Sequence, residues 1–315
     1  ATGANGIAIG DSALSSGVNA VALGHAAKGA GENSVAISKS YASGEYSFAA
    51  MQTNNTSSYG ALAANTIAMG STNKATQAHG IALGRSTQAT SSYAVAIGYN
   101  CLSSANYSVA LGYQAQATGA SAFAAGAAST NSEKATASGA GSVALGGAYA
   151  SATDSVSIGA SSTTGTTIGK IAFSNDKFAA NGDSQHGVFV LRCDTTDATA
   201  EAMTTNRGTA GTTNQVVLPN NSAYTFTAMV VAREKASEGT EAAAFKIEGL
   251  IRREANAGST VLVASSTTVL SNANSFAVAA TANTTHGCLA LTVTGKSSTN
   301  IRWTATVTST ELSYA

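Results

Sequence analysis

Ile81-Ala82-Leu83-Gly84, Val95-Ala96-Ile97-Gly98 and Val109-Ala110-Leu111-Gly112 are one tetrapeptide written three times at a spacing of 14 residues. Outward from them the same pattern returns as Ile67-Ala68-Met69-Gly70, Phe48-Ala49-Ala50-Met51, Val35-Ala36-Ile37-Ser38, Val21-Ala22-Leu23-Gly24 and Ile7-Ala8-Ile9-Gly10 on one side. On the other it returns as Phe123-Ala124-Ala125-Gly126, Val143-Ala144-Leu145-Gly146 and Val156-Ser157-Ile158-Gly159. The eleven starts are separated by 14, 14, 13, 19, 14, 14, 14, 14, 20 and 13 residues. Fourteen residues suit one coil of a β-solenoid, two short strands and two tight turns, and are too few for the helix pairs or blades of other repeat proteins.

Within each tetrapeptide, strand alternation puts the two large side chains on one face and the middle Ala on the other. The small pair three and five residues after the Gly, such as Thr87 and Ala89 or Ala115 and Ala117, reads as the opposing strand, and Cys101 falls on this small inward position. The large residues are expected to face that strand. The Ala row, including Ala22, Ala36, Ala82, Ala96 and Ala110, is then expected to form a flat stripe packed against other copies of the chain. A roll this thin has too little interior to stand alone, and a parallel homotrimer lets every copy offer the same stripe. The long steps at 48–67 and 123–143 predict sideways loops, exposing Asn54, Asn55 and Thr56 in the first and Asn131, Glu133 and Lys134 in the second.

Charge separates this half from the rest. Residues 1–168 hold five basic and five acidic side chains, and 169–315 hold eleven of each. Three domains follow as expectations: a repeat shaft at 1–168, a transition or neck at 169–186, and an antiparallel β-sandwich or jelly-roll tip at 187–315. Period-2 patterns place nine strands in the tip, near 187–193, 199–205, 214–218, 224–235, 242–253, 259–270, 275–281, 287–294 and 301–311. The fold class is thus all-β.

The segments Gly31-Glu32-Asn33-Ser34-Val35-Ala36-Ile37 and Asn106-Tyr107-Ser108-Val109-Ala110-Leu111-Gly112 resemble the head repeats of trimeric autotransporter adhesins of the YadA type. That resemblance covers about residues 1–160 and implies a parallel left-handed β-roll and a homotrimer. The remainder resembles the C-terminal region of tail fibres from marine and cyanobacterial bacteriophages, through Gly182-Asp183-Ser184-Gln185, Thr213-Asn214-Gln215-Val216-Val217-Leu218-Pro219-Asn220 and Lys246-Ile247-Glu248-Gly249-Leu250-Ile251-Arg252-Arg253. It implies a trimeric fibre on the virion tail that attaches to a bacterial surface receptor, a polysaccharide by preference. The alternative is an adhesin head on a bacterial outer surface. The chain opens at Ala1, so a longer fibre is expected, joined to other tail proteins through an N-terminal part.

The tip turns carry the receptor candidates. If consecutive antiparallel strands reverse direction, turns 194–198, 219–222, 254–258 and 282–286 share the free end, bringing Asn220, Asn221, Arg253, Asn256, Asn283 and His286 together as donors and acceptors for a polar glycan.

Catalytic motifs dissolve on inspection. Gly10-Asp11-Ser12-Ala13-Leu14 is similar to the opening of a GDSL-type esterase, and Gly182-Asp183-Ser184 runs into His186, but neither has the distant partners that a serine hydrolase needs. Gly165 to Lys170 is one residue short of a phosphate loop and continues into Ile171 where Ser or Thr should stand. The four His residues, at 25, 79, 186 and 286, are isolated, and the three Cys residues lack zinc spacing. No enzyme, metal or cofactor is therefore expected. Sixteen basic and sixteen acidic residues cancel, which argues against nucleic acid, and no 18-residue apolar run exists for membrane insertion. Tyr99 and Tyr113, each just after a repeat Gly, are a candidate ladder for stacking on sugars.

Overall fold

The protein is described by a computed structural model that covers residues 1–127, 133–235, 241–272 and 276–314. It divides into two compact units, Ala1–Ala150 and Ser151–Ala315. No α-helix occurs among the described residues.

The first unit is the solenoid. The tetrapeptides form parallel strands in one sheet, paired in the register of the repeat: Ile81 with Val95, Ala82 with Ala96, Leu83 with Ile97. The opposing dipeptides, from Leu14–Ser15 to Tyr149–Ala150, form a second parallel sheet. Two left-handed corners close each coil. One stands two residues before the tetrapeptide, where Asn5, Asn19, Asn33, His79, Tyr93 and Tyr107 all have φ between 54 and 62°. Asn, whose short side chain tolerates this region, is the ordinary occupant. The tetrapeptide Gly marks a second constraint: Gly84 has φ +122°, and a Cβ there would lie 2.0 Å from the carbonyl oxygen of Gly98 on the next coil.

Side-chain facing reverses the expectation. Ala22, Ala36, Ala82, Ala96 and Ala110 have no exposed surface in the single chain and belong to one continuous core with Ala42, Ala61, Ala75, Ala89, Cys101 and Ala117. They are not an inter-subunit stripe. A 14-residue coil encloses a space only small side chains can fill, so alternation sends the large ones outward: Ile9 is 63% exposed, Ile97 38% and Ile158 37%. Buried hydroxyls finish the core by bonding backbone carbonyls three residues back, as Ser34 Oγ does to Gly31 O at 2.7 Å and Ser142 Oγ to Gly139 O at 2.7 Å. At the first long step Asn54 and Asn55 are half-buried and Thr56 is exposed; Asn55 Nδ2 donates to Ala26 O at 2.5 Å. At the second, Glu133 and Lys134 are half-buried, and Asn131 lies outside the described residues.

The second unit holds two further parallel rungs, Val156–Gly159 and Ile171–Ser174. The second of these, Ile171-Ala172-Phe173-Ser174, pairs in register with the eleventh tetrapeptide as a twelfth rung that the sequence repeat did not include. Nine strands follow, labelled here β1 (Ser184–Thr195), β2 (Ala200–Ala202), β3 (Val216–Val217), β4 (Ser222–Glu234), β5 (Ala242–Arg253), β6 (Val261–Asn272), β7 (Ala277–Asn283), β8 (Cys288–Thr294) and β9 (Ile301–Ser313). One antiparallel sheet runs β1-β9-β4-β5-β6, with Ile171–Ser174 paired to the outer edge of β1. The second has β8 at its centre, with β7 along one side and β2 and β3 along the other. Phe189, Leu191, Phe245, Ile247, Leu291 and Trp303 are among the fully buried residues of their shared core, and Trp303 Nε1 donates to Thr195 Oγ1 at 3.0 Å.

Strand direction also departs from simple alternation. Both β2 and β3 pair antiparallel with β8, so they run the same way as a single interrupted strand. One reversal is lost there. Turns 219–222, 254–258 and 282–286 consequently gather at the end where β1 starts, while turn 194–198 lies at the opposite end, next to Gly295 and the start of β9.

Candidate functional site

At the Ser184 end of the second unit a cavity of about 540 Å³ opens between the turn 163–167, Asn181 and Gly182, the segment 217–220 and the chain end at Ser313 and Tyr314. Its volume lies in the range of small-ligand sites. Lys170, Gln185, Tyr224 and Arg253 also line it, and among the described residues its wall holds no Asp or Glu.

Its floor is a buried polar network around Glu311. Lys170 Nζ donates to Glu311 Oε2 at 2.6 Å, and both side chains are almost wholly out of solvent. Gln185 Nε2 donates to the same oxygen at 2.6 Å, Ser309 Oγ donates to Oε1 at 2.8 Å, and the Tyr224 hydroxyl bonds the carboxylate as well. Burial, and then the neighbouring Glu311 charge, hold the Tyr224 hydroxyl well above its ordinary pKa, so it stays protonated. Gln185 also fastens the cavity wall, since its Oε1 accepts from Thr163 N at 2.9 Å and its Nε2 donates to Thr163 O at 3.0 Å. Beside it, Asp183 accepts three backbone N–H bonds, from Phe178, Ala179 and Ala180 at 3.0, 2.6 and 2.8 Å. Burial pushes its carboxyl up, but these donors, with Lys177, hold it below the ordinary carboxylate range. Asp183 is therefore the staple of the turn 178–183 and not a catalytic base.

The receptor candidates fall unequally around this cavity. Asn220 and Arg253 line it. Asn221 lines an adjoining cavity of about 370 Å³ that also includes Arg253, and its backbone N–H donates to Glu254 O at 3.0 Å. Asn256 is exposed at the same end but lines neither. Asn283 and His286 are occupied with their own turn: Asn283 Nδ2 donates to Gln215 Oε1 at 2.8 Å and meets His286 Nδ1 at 3.0 Å, while Asn283 Oδ1 accepts from the backbone of Thr285 and His286. Lys170, Gln185, Tyr224 and Glu311 escaped sequence reasoning because no motif links residues up to 141 apart. The one signal was Ser309 and Glu311, polar residues on the core-facing side of an alternation that is apolar from Ile301 to Val307.

Other chemistry-bearing residues stay apart from the cavity. Ser12 sits exposed at a solenoid corner beside Asp11, which approaches His25 at 3.5 Å with both side chains in solvent. His186 is exposed on β1, whereas Asp183 turns inward. Cys193 is pushed up to about 11 and Cys288 to about 12, in both cases by burial first, so neither thiol is a nucleophile near neutral pH. Tyr99 and Tyr113 stack at 4.9 Å, which covers one face of each ring, and Arg85 lies over Tyr99; both tyrosines keep exposed surface.

No curated protein matches the chain. Among solved structures it is similar to the tailspike protein of Acinetobacter baumannii phage AM24, at 11% identity and a TM-score of 0.24, covering 94% of this chain and 55% of that one. It is also similar to the tailspike protein gp49 of Acinetobacter baumannii bacteriophage Fri1, at 6% identity and a TM-score of 0.25, covering 79% and 42%. The chain thus spans about half the length of these two structures. The Fri1 protein is described as a capsular polysaccharide depolymerase, and this finding overturns the expectation that the chain is not an enzyme. That expectation rested on the failure of hydrolase and phosphate-loop motifs. The family model of the YadA head domain repeat matches residues 1–27, 15–37, 61–87, 78–100, 103–129 and 133–148, all within the solenoid unit.

Proposed function

We propose that the chain is a virion attachment protein of the tail-fibre or tailspike kind, which fastens a bacteriophage to a bacterial cell by holding a surface polysaccharide in the cavity at the Ser184 end of the second unit. The observation that carries this reading is the cavity itself. Thr163, Thr164, Thr166, Thr167 and Ser313, with Asn181, Asn220, Tyr224 and Tyr314, line one space. Neutral donors and acceptors interleaved with aromatic surface are the complement of a sugar, whose hydroxyls lie around an apolar ring. Such a protein works outside the cell, on the virion tail.

The working form in this reading is a homotrimer, built on the large-residue row of the solenoid. Ile81, Leu83, Val95, Ile97, Val109 and Leu111 recur in register on adjacent rungs, so an identical chain finds the same apolar row at every level. A second reading, the head of a bacterial surface adhesin, draws on the YadA head repeat match at 1–148.

The test is binding of the purified full chain to a panel of capsular polysaccharides and lipopolysaccharides. Saturable binding to a panel member, lost in Asn220→Trp at an unchanged melting temperature, is expected. Binding that survives Asn220→Trp would move the receptor site elsewhere, and no binding across the panel would count against a polysaccharide receptor.

A further inference from the structure

We propose that Arg253 is the anchor for the carboxylate of a hexuronic acid, so that the glycan taken by the cavity is an acidic one; this rests on the cavity's being the polysaccharide site. Arg253 closes β5 and packs against Gly287, where a Cβ would stand 2.3 Å from Nη1 and 3.1 Å from Nε. Nη1 donates to Leu218 O at 2.6 Å, which ties the guanidinium to the segment that forms the cavity wall. Nε is buried with no hydrogen-bond partner. Among the described residues no carboxylate pairs with Arg253: Glu254, next along the chain, is paired with Arg252, and Glu311 with Lys170.

A half-buried guanidinium without a counter-ion is an unusual expense of solvation. It is explained where a ligand supplies the missing charge. The charge count fixes what kind of ligand. Lys170 is cancelled beneath the cavity by Glu311, and among the described residues the wall holds no acidic side chain, so the described side chains of the wall carry one unmatched positive charge, that of Arg253. One positive charge matches one monoanion. A planar carboxylate also fits the guanidinium fork, whereas a phosphate dianion would bring a second charge with no cation to meet it. Asn220, on the same wall, then remains for the neutral hydroxyls of the sugar.

The test is calorimetric titration of the full chain with oligogalacturonate, oligoglucuronate, a neutral glucose oligosaccharide of equal length and inorganic phosphate. One of the oligouronates is expected to bind saturably, about tenfold or more tighter than the neutral oligosaccharide, with Arg253→Gln removing that preference and Arg253→Lys retaining part of it. Phosphate at equal concentration is expected not to compete. Melting temperatures of the variants show whether they fold, and loss of the preference at high salt in the unaltered protein tests the same charge without a substitution. Equal affinity for neutral and acidic oligosaccharides, an Arg253→Gln protein that keeps the preference, or displacement by phosphate would overturn the proposal. If Asn220→Trp abolishes oligouronate binding and Arg253→Gln does not, the cavity stands as the site and the carboxylate anchor falls; if neither substitution matters, both readings fall.

Discussion

Lys170 and Glu311 stand 141 residues apart in the chain and meet as a buried ion pair, Nζ to Oε2 at 2.6 Å, under the floor of the candidate site. The pair joins the segment that leads into the sandwich to its last strand. Replacing Lys170 by Met leaves the Glu311 charge buried with only neutral donors, and a loss of about 3–5 kcal/mol is expected. Urea denaturation of the full chain measures it. A loss below about 1 kcal/mol would mean that solvent reaches the pair.

The repeat was legible because each rung spells out the same three constraints: a large-small-large strand, a turn residue that accepts positive φ, and a small opposing pair. Period 2 has two solutions, however, and alternation cannot say which face is inside. The answer came from volume: Ala96 fits between sheets joined by 14-residue coils and Ile97 does not. In the sandwich, alternation marks all nine strand positions, though β2 and β3 shrink to three and two residues, and strict reversal of consecutive strands fails where β2 and β3 run along the same side of β8. Asn220 and Arg253 stand out in the sequence as polar turn residues, and both line the cavity. The Glu311 network does not stand out, since its members carry meaning only once folded together.

The reversed facing predicts opposite outcomes at adjacent positions. Ala96→Glu buries a charge in the solenoid core and should abolish cooperative folding. Ile97→Glu leaves the coil intact, as read by circular dichroism, and should dissociate the proposed trimer. Light scattering is expected to give three times 31.0 kDa for the unaltered chain and 31.0 kDa for Ile97→Glu. An Ile97→Glu protein that stays trimeric would place the subunit contact on another face.

Two glycines with positive φ separate strain from crowding. Gly84→Ala meets both, because its Cβ would fall 2.0 Å from the next coil, and roughly 3 kcal/mol or more should be lost. Gly165, at φ +58° with nothing within 4 Å of where an added methyl group would stand, meets strain alone, and Gly165→Ala should cost only about 1 kcal/mol. Equal thermal shifts for the two would contradict the tight stacking of the coils.

Asp183 gives the second unit an acid sensitivity of defined sign. Its carboxyl is held below the ordinary carboxylate value, so its contribution is fully present above that value and is lost as pH falls through the lower, folded value. Stability should therefore drop more steeply with acid in the unaltered protein than in Asp183→Asn, and the gap between them should narrow toward low pH. Parallel curves between pH 6 and pH 2 would rule out the three N–H bonds as the cause.

Hydrogen exchange of the full chain, with and without the polysaccharide that it binds on the panel, tests the central claim most directly. Protection is expected at 163–167, 180–182, 217–220 and 313–314, the segments that wall the cavity around Arg253. Protection confined to the turn 194–198 or to the solenoid corners at Tyr93 and Tyr107, with the cavity segments unchanged, would contradict it.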